Sequence, residues 1–125
     1  MFQKNAMVKA RKAIETMYDG TCTITEYQEY VKENKSIGHK EVVVLEEQPC
    51  RLSFSSSPNT NLEETNASSV AQTIKVFLSP DVTINAGSKL TITQNGVTTE
   101  YKNSGVPMVH ETHQEITLDL FKGWA

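Results

Sequence analysis

The sequence predicts an all-β protein, a small antiparallel β-barrel or sandwich of six or seven strands, with one N-terminal α-helix and a long polar loop. Three observations predict this class. The chain has 125 residues, enough for one compact domain. After Gly20 the apolar residues recur with a period of 2, as they do in half-buried strands. An Asn-Gly pair lies between two such segments and is typical of a tight hairpin. We therefore expect a single domain over residues 1–125.

A helix is predicted over about residues 5–18, because apolar side chains recur there at the spacing of one helical face. The stripe consists of Met7, Ala10, Ile14 and Met17, and Asp19-Gly20 follows as a stop signal. Stripes of this kind usually pack against a core. We expect the helix to lie on the barrel, which spans about residues 21–121.

Seven short segments carry the strand pattern. They are residues 21–27, 41–47, 50–54, 73–78, 90–94, 97–101 and 115–121. In this interpretation residues 29–40 form a charged connection, and Pro49 divides the second strand from the third. Asn95-Gly96 tolerates the positive φ angles of a type I′ turn and predicts a two-residue hairpin. The last strand directs Ile116, Leu118 and Leu120 toward one face.

The segment of residues 55–72 fits no strand. Its 18 residues exceed the ~12 to 15 of an ordinary connection, so we expect it to be either disordered or functional. From Leu52 through Ile74, 23 consecutive positions contain no Lys, Arg or His, and Glu63 and Glu64 carry the only formal charges. Such a loop is suited to repelling a polyanion rather than holding one.

The sequence carries no pattern that predicts an enzyme, a cofactor or a metal site. Cys22 and Cys50 form no Cys-x-x-Cys pair, and we expect both to be reduced and buried. His110 and His113 are three residues apart beside a predicted strand, whereas the zinc pattern needs two histidines four apart on a helix. A nucleophile elbow of the form Gly-x-Ser-x-Gly and a phosphate-binding glycine loop are both missing.

The charge distribution is asymmetric. The net charge is -3, which argues against a protein whose main task is to bind nucleic acid. Lys4, Lys9, Arg11 and Lys12 precede the first acid, Glu15, which leaves 8 of the 12 basic residues against all 15 acidic ones. The basic segment is either a solvated helix face or an arm that docks on an acidic neighbour. Without a signal-like or ~20-residue apolar run, we expect a cytosolic protein that has no membrane contact.

Two further features leave alternatives open. Trp124, the single tryptophan, follows the last strand, where it either folds back onto its own barrel or anchors a neighbouring subunit. A small barrel is also compatible with an OB-like module that binds nucleic acid. Such a surface needs aromatics interleaved with basic residues, whereas Tyr27, Tyr30 and Tyr101 are scattered among acids.

The order of the predicted segments along the chain is similar to that of a known protein family. The segments are, in order, the leading helix, Thr21-Cys-Thr-Ile24, Gln48-Pro-Cys-Arg-Leu-Ser-Phe54, the polar loop, Gln72 through Asp81, Ala86 through Ile92, the Asn95-Gly96 hairpin, and Glu115 through Phe121. Together these segments resemble the head-completion, or head-closure, proteins of tailed bacteriophages, most closely those of Gram-positive phages and prophages. The resemblance covers nearly the whole chain.

The resemblance implies a stopper-type structural protein of the virion neck, made in the host cytoplasm. It implies a homo-oligomeric ring of about twelve copies beneath the portal-adaptor protein and above a tail-completion or tail-terminator protein. The long loop of that family projects toward the channel, where it closes or lines the path of the packaged DNA without sequence-specific binding. The matching positions here are Asn59, Asn61, Leu62, Glu63 and Glu64. A tail-completion or tail-terminator role at the same junction stays open.

A ring interface joins two different faces of each subunit. Lys9, Arg11 and Lys12 on the basic helix are candidates for one face, with the acidic barrel as the other. Phe121 and Trp124 are candidates for docking to the protein above or below the ring.

Overall fold

The computed structural model describes residues 2–58 and 70–124 of the chain. These residues form one helix, α1 (Phe2–Glu15), and seven strands. The strands are β1 (Gly20–Val31), β2 (Ile37–Pro58), β3 (Val70–Leu78), β4 (Lys89–Gln94), β5 (Val97–Asn103), β6 (Met108–Val109) and β7 (Gln114–Leu120). The predicted class, all-β with one N-terminal helix, is confirmed.

The strands form one antiparallel sheet that closes on itself. Their order is β3-β2-β1-β4-β5-β7-β6, and β3 also pairs with β7. Six strands therefore make a closed ring, called the barrel below, while the short β6 pairs with the start of β7. Closure gives each of the six strands two neighbours along part of its length, which is how small β proteins avoid exposed sheet edges.

Alternate strand residues fill the interior of the barrel. The buried apolar side chains are Cys22, Ile24, Cys50, Leu52, Val76, Leu78, Ile84, Leu90, Ile92, Tyr101, Ile116 and Leu118. Full burial of one Leu or Ile side chain contributes roughly 1.5–3 kcal/mol. These residues come from six strands and from the loop after β3, so the core holds the whole barrel together.

Both cysteines are free and buried in this core, as the sequence predicts. A hydrogen bond to the Cys50 thiol, together with burial, raises the pKa of Cys22 above its ordinary value. A thiol that stays protonated is a poor nucleophile and a poor metal ligand. The two side chains therefore act as small apolar groups between β1 and β2.

The hairpin predicted at Asn95-Gly96 is confirmed. Gln94 pairs with Val97, and the two turn residues have φ angles of 54° and 77°. Both angles are positive, as a type I′ turn requires.

A two-stranded arm, in which residues 26–31 pair with residues 37–42, is the largest departure from the sequence prediction. The sequence favours a connection over residues 29–40, but Glu29 pairs with His39 and Val31 with Ile37. Pairing of β1 with β4 covers Thr21–Thr25, so the arm continues past the barrel. Its strands are hard to recognise because both of its faces meet solvent, where alternation of apolar and polar residues is not required.

β2 also runs through Pro49, where the sequence predicts a break. The pairing of β1 with β2 shifts register between Cys22 and Thr25, and Glu47 on the opposite strand has a φ of 52°. These features are those of β-bulges, which bend a strand without ending it. Proline is tolerated beside a bulge because the hydrogen-bond ladder is already interrupted there.

Helix α1 begins at Phe2 and ends at Glu15, about three residues earlier than predicted. The expectation that its apolar stripe packs in the core is wrong. Met17 is 56% exposed, Ala10 is exposed, and Met7 and Ile14 are half-buried. The core of the barrel is filled by its own strand residues and by Ile84, so the apolar stripe of the helix stays outside it.

Candidate functional site

Strands β2 and β3 continue beyond the barrel as a two-stranded ribbon, residues 55–58 paired with residues 70–73. Pairing of β3 with β7 begins at Ile74, and pairing of β2 with β1 ends at Cys50. The polar loop predicted over residues 55–72 is therefore shorter than expected, because its two ends are strand. Serine and threonine are compatible with a solvated antiparallel pair, which explains why composition alone suggested a loop.

The predicted channel-loop residues Asn59, Asn61, Leu62, Glu63 and Glu64 lie outside the described residues. The described ribbon leads directly to them from both sides. Its side chains Ser55, Ser56 and Gln72 are exposed and uncharged.

The root of the ribbon is fixed to the barrel by Gln94. The backbone N–H of Leu52 donates to Gln94 Oε1 at 2.7 Å, and Gln94 Nε2 donates to the Leu52 carbonyl at 3.3 Å. The amide side chain thus supplies the partner that β1 would have provided had it extended past Gly20. A side chain at Gly20 would press on this bridge, since its Cβ would lie 3.1 Å from Gln94 Oε1. No local pattern in the sequence points to Gln94.

The three docking candidates on α1 have different environments. Lys9 and Lys12 are exposed. Arg11 is occupied within the chain: its Nη2 donates to Asp81 Oδ2 and to Ser79 Oγ, both at 2.6 Å, and its Nε donates to Glu15 Oε1 at 3.3 Å. The hydrogen bond to Asp81 is the main reason that the pKa of Arg11 is raised. Arg11 therefore attaches α1 to the loop after β3.

That loop is held in turn by Gln114 at the start of β7. Its buried Nε2 donates to the Ser79 carbonyl at 2.7 Å and to the Val82 carbonyl at 2.5 Å. A chain of contacts thus runs from the barrel through Gln114 and the loop to Arg11 on the helix. The position of α1 therefore depends in part on this chain of contacts, beside the half-buried Met7 and Ile14 of the helix.

The C-terminal residues Phe121 to Trp124, called the strap below, fold back onto the base of the arm. The Trp124 ring stacks on Tyr27 with centroids 5.0 Å apart, and Tyr27 stacks on His39 at 5.1 Å. Phe121 meets Trp124 edge to face at 4.9 Å. Of the two alternatives left open by the sequence, the structure has Trp124 packed on its own chain.

Lys89 lies at the centre of the polar contacts that hold the strap. Its buried ammonium pairs with Glu41 at 3.0 Å and with Glu100 at 3.3 Å. It also lies over the rings of Phe121 and Trp124, at 5.0 and 5.8 Å from their centroids. Sequence reasoning did not bring these residues together, because 48 positions separate Lys89 from Glu41.

Glu41 joins the two halves of this network. Trp124 Nε1 donates to Glu41 Oε1 at 2.9 Å, and this bond, followed by the one from Lys89, lowers the pKa of Glu41. Burial alone would lower the pKa of Lys89, but its hydrogen bonds to Glu41 and Glu100 outweigh burial, and the net change is upward. The pair is therefore charged throughout the neutral range, where it holds the strap to the arm.

Release of the strap at acidic pH is the first expected result. A carboxyl whose pKa is lowered by folding stabilises the fold above its unfolded pKa, about 4.3, and that contribution is lost as pH falls through the lowered value. Trp124 fluorescence should therefore be constant from pH 7 down to about 4 and shift to longer wavelength below it, provided that far-ultraviolet circular dichroism remains unchanged. Glu41→Gln should produce much of this shift at pH 7.

The matched control is Glu100→Gln, which removes the other carboxylate on Lys89 and leaves the indole bond to Glu41 in place. Its emission at pH 7 should match that of the wild type. Equal spectra for Glu41→Gln and the wild type would show that the negative charge of Glu41 does not hold the strap.

His110, His113 and Glu115 form the one group with metal-ligand chemistry among the described residues, with ligand atoms within 4.8 Å of one another. His110 Nε2 and Glu115 Oε2 are 3.0 Å apart, and the two imidazoles stack at 4.6 Å with an interplanar angle of 23°. Imidazole lone pairs lie in the ring plane, so rings stacked in this way do not aim at a common ion about 2 Å away. The group is a hydrogen-bonded turn between β6 and β7.

No helix among the described residues is both long and apolar enough to cross a membrane.

The similarity of this chain to known proteins lies in its fold rather than in its sequence. No protein-family model matches the chain, and no curated protein matches it. A solved structure, protein xkdH of the phage-like element PBSX from Bacillus subtilis, is similar over 80% of this chain and 91% of its own, with 11% identity and a TM-score of 0.47. At this identity most side chains differ, so the similarity gives no information on the function of this chain.

Proposed function

We propose that this chain is a structural protein of the neck of a tailed-phage particle. It forms a ring between the portal-adaptor protein and the tail, and the segment carried by its ribbon lines or closes the DNA channel. The proposal begins from the order of sequence segments described above. The observation that carries it is the ribbon of β2 and β3, which leaves the barrel within a stretch of 23 residues that has no cationic side chain.

Electrostatics makes this composition suitable for a channel. Lys and Arg bind DNA by neutralising phosphates and releasing counterions. A surface past which DNA must slide should not do so, and in a ring the carboxylates of Glu63 and Glu64 would be repeated around the bore. The nearest cationic side chains, Arg51 and Lys75, flank the barrel end of the segment.

The closed barrel supplies a rigid base for such a segment. The Gln94 bridge to Leu52 restrains the ribbon at the point where it leaves the sheet. A channel loop needs this restraint, because a ribbon free to pivot at its root would not keep its tip at a fixed radius. The described ribbon pairs four residues on each side before the tip begins.

The proposed docking residues divide according to their contacts. Lys9 and Lys12 are exposed on α1 and are retained as candidates for contact with a neighbouring subunit. Arg11 positions the helix, and Phe121 and Trp124 hold the strap, so their proposed part in docking is indirect. A change at Trp124 would then weaken assembly by releasing the strap from the arm.

Electron microscopy of the phage particle tests the proposal. We expect a ring of this chain between the portal-adaptor protein and the tail, with the ribbon directed to the central axis. Particles assembled without the chain should package DNA and then lose it. Particles that keep their DNA but carry defective tails would favour the tail-completion role, and a chain absent from particles would overturn the proposal.

Binding to single-stranded DNA separates the neck protein from an OB-like module. A nucleic-acid-binding module loses affinity steeply as salt rises, since each phosphate contact contributes about 0.9 to the logarithmic slope on duplex DNA and about 0.7 on single strands. The neck protein should bind weakly at every salt concentration. A salt-dependent affinity in the micromolar range or tighter would favour the OB-like module.

A further inference from the structure

We infer that helix α1 of one copy docks on the arm of the next copy, and that this contact joins neighbouring subunits. The inference rests on the proposed ring, for which it names the interface. The outer part of the arm and one side of the helix are exposed, their charges are complementary, and the two surfaces differ.

The outer part of the arm lacks the packing that a two-stranded hairpin needs. Val31 is 72% exposed and Ile37 is 64% exposed, although they face each other across the arm. Val43 and Val44 are also exposed near its base. An isolated two-stranded hairpin is at best marginally stable in water, so stability requires a third layer. Within the described residues the strap covers only the part of the arm near Tyr27.

Helix α1 is also only partly covered. A helix of 14 residues is marginal in water without tertiary packing. Its main polar link to the barrel among the described residues is through Arg11, and Met7 and Ile14 are half-buried. Val8 on the helix and Met17 just after it remain exposed. An amphipathic helix that leaves part of its apolar surface in solvent is typical of a segment that docks on a partner.

The charges of the two surfaces are complementary. Helix α1 has no acid before Glu15, and Lys9 and Lys12 are exposed. Glu46 and Glu47 lie exposed in the bulge of β2 opposite Thr23, in the part of the barrel next to the base of the arm, and neither forms an ion pair with a described residue. Lysine suits such a surface because its aliphatic stem packs on valine while its ammonium reaches a carboxylate.

A groove beside the arm offers a place for such side chains. It has a volume of about 430 Å³ and an apolar wall of Val44, Leu45 and Val82. At its edge lie the carboxylate of Glu26, which accepts a hydrogen bond from Asn85, and that of Asp81, which pairs with Arg11 of the same chain. Its mixture of apolar wall and acidic rim matches the mixture of apolar and basic groups on α1. Because the two surfaces are different, their contact is heterologous, and repetition around an axis gives a ring.

Charge reversal in trans-complemented particles tests the inference. The wild-type chain, supplied to a phage that lacks it, should restore infectivity. Lys9→Glu with Lys12→Glu should lower incorporation and titre at least about tenfold, and Glu46→Lys with Glu47→Lys should do the same. The chain that carries all four changes should recover to within about threefold of the wild type, because the charges again match.

Two controls keep the outcomes distinct. Glu111→Lys alters an exposed charge in the turn between β6 and β7, outside both surfaces, and should leave the titre unchanged, and circular dichroism should show that every variant is folded. Failure of the wild type to enter particles would overturn the proposed function itself. If the wild type enters but the reversed variants do so equally well, or if the fourfold change restores nothing, the neck role stands and this interface is wrong.

Discussion

Truncation of Leu118 to alanine is expected to lower the free energy of unfolding by about 2 to 5 kcal/mol, which is a large part of the 5–15 kcal/mol typical of a domain. Leu118 is 3% exposed and pairs with Ile74 on β3 and with Asn103 on β5. It lies where β7 closes the barrel between these strands. A cavity at this position removes packing from both neighbours, and the surrounding ring of strands limits how far the structure relaxes.

Leu120, two residues further along the same strand, provides the matched control. It is 53% exposed, so Leu120→Ala should change the free energy of unfolding by less than about 1 kcal/mol. Urea denaturation followed by circular dichroism measures both variants. Equal losses for the two substitutions would mean that Leu118 does not occupy the centre of the closed core.

The same pair of leucines shows how far a repeating pattern predicts structure. Alternation assigns Ile116, Leu118 and Leu120 to one face, and the first two are buried as expected. Leu120 still pairs with Tyr101 on β5, but it is exposed because the pairing of β7 with β3 ends at Leu118, and a period-2 pattern carries no information on where that closure stops. The Asn95-Gly96 hairpin was predictable because its turn depends only on two adjacent residues.

The arm and the helix were less predictable because the described residues of the chain cover them only in part. Residues such as Glu29 and His39 pair in a sheet that has solvent on both faces, so neither face requires apolar residues. The stripe on α1 has the spacing of a packed helix, yet Ala10 and Met17 are exposed. In both places the sequence pattern indicates an element without indicating how far it is buried.

The contacts around the site could not be predicted because the residues that form them are far apart in the sequence. Nothing near Lys89 or Glu41 indicates that they meet each other and Trp124, or that Gln94 completes the ladder of Leu52. These contacts form because barrel closure brings remote strands together. A single polar residue within or beside an apolar strand, such as Gln114, is the local signal that identifies such positions, since a buried amide requires hydrogen-bond partners.

Reversal of the loop charge is expected to have the largest effect on function. Glu63→Lys with Glu64→Lys changes each copy by four charge units, and a ring multiplies that change around the bore. If the segment lines the channel, the new lysines neutralise phosphates and slow the passage of DNA. Assembly and packaging should proceed, while DNA release triggered in vitro should be slower by about tenfold or more at low salt.

Salt identifies the cause of that delay. Counterion release weakens each lysine contact as salt rises, so the release rate of the lysine variant should approach that of the wild type at high salt. Glu63→Gln with Glu64→Gln removes the repulsion without adding attraction, and its release should stay close to the wild-type rate. A lysine variant that releases DNA at the wild-type rate in low salt would locate the segment away from the channel, even if the chain belongs to the neck. A delay that persists unchanged at high salt would point instead to a mechanical obstruction, because only the electrostatic contact is screened.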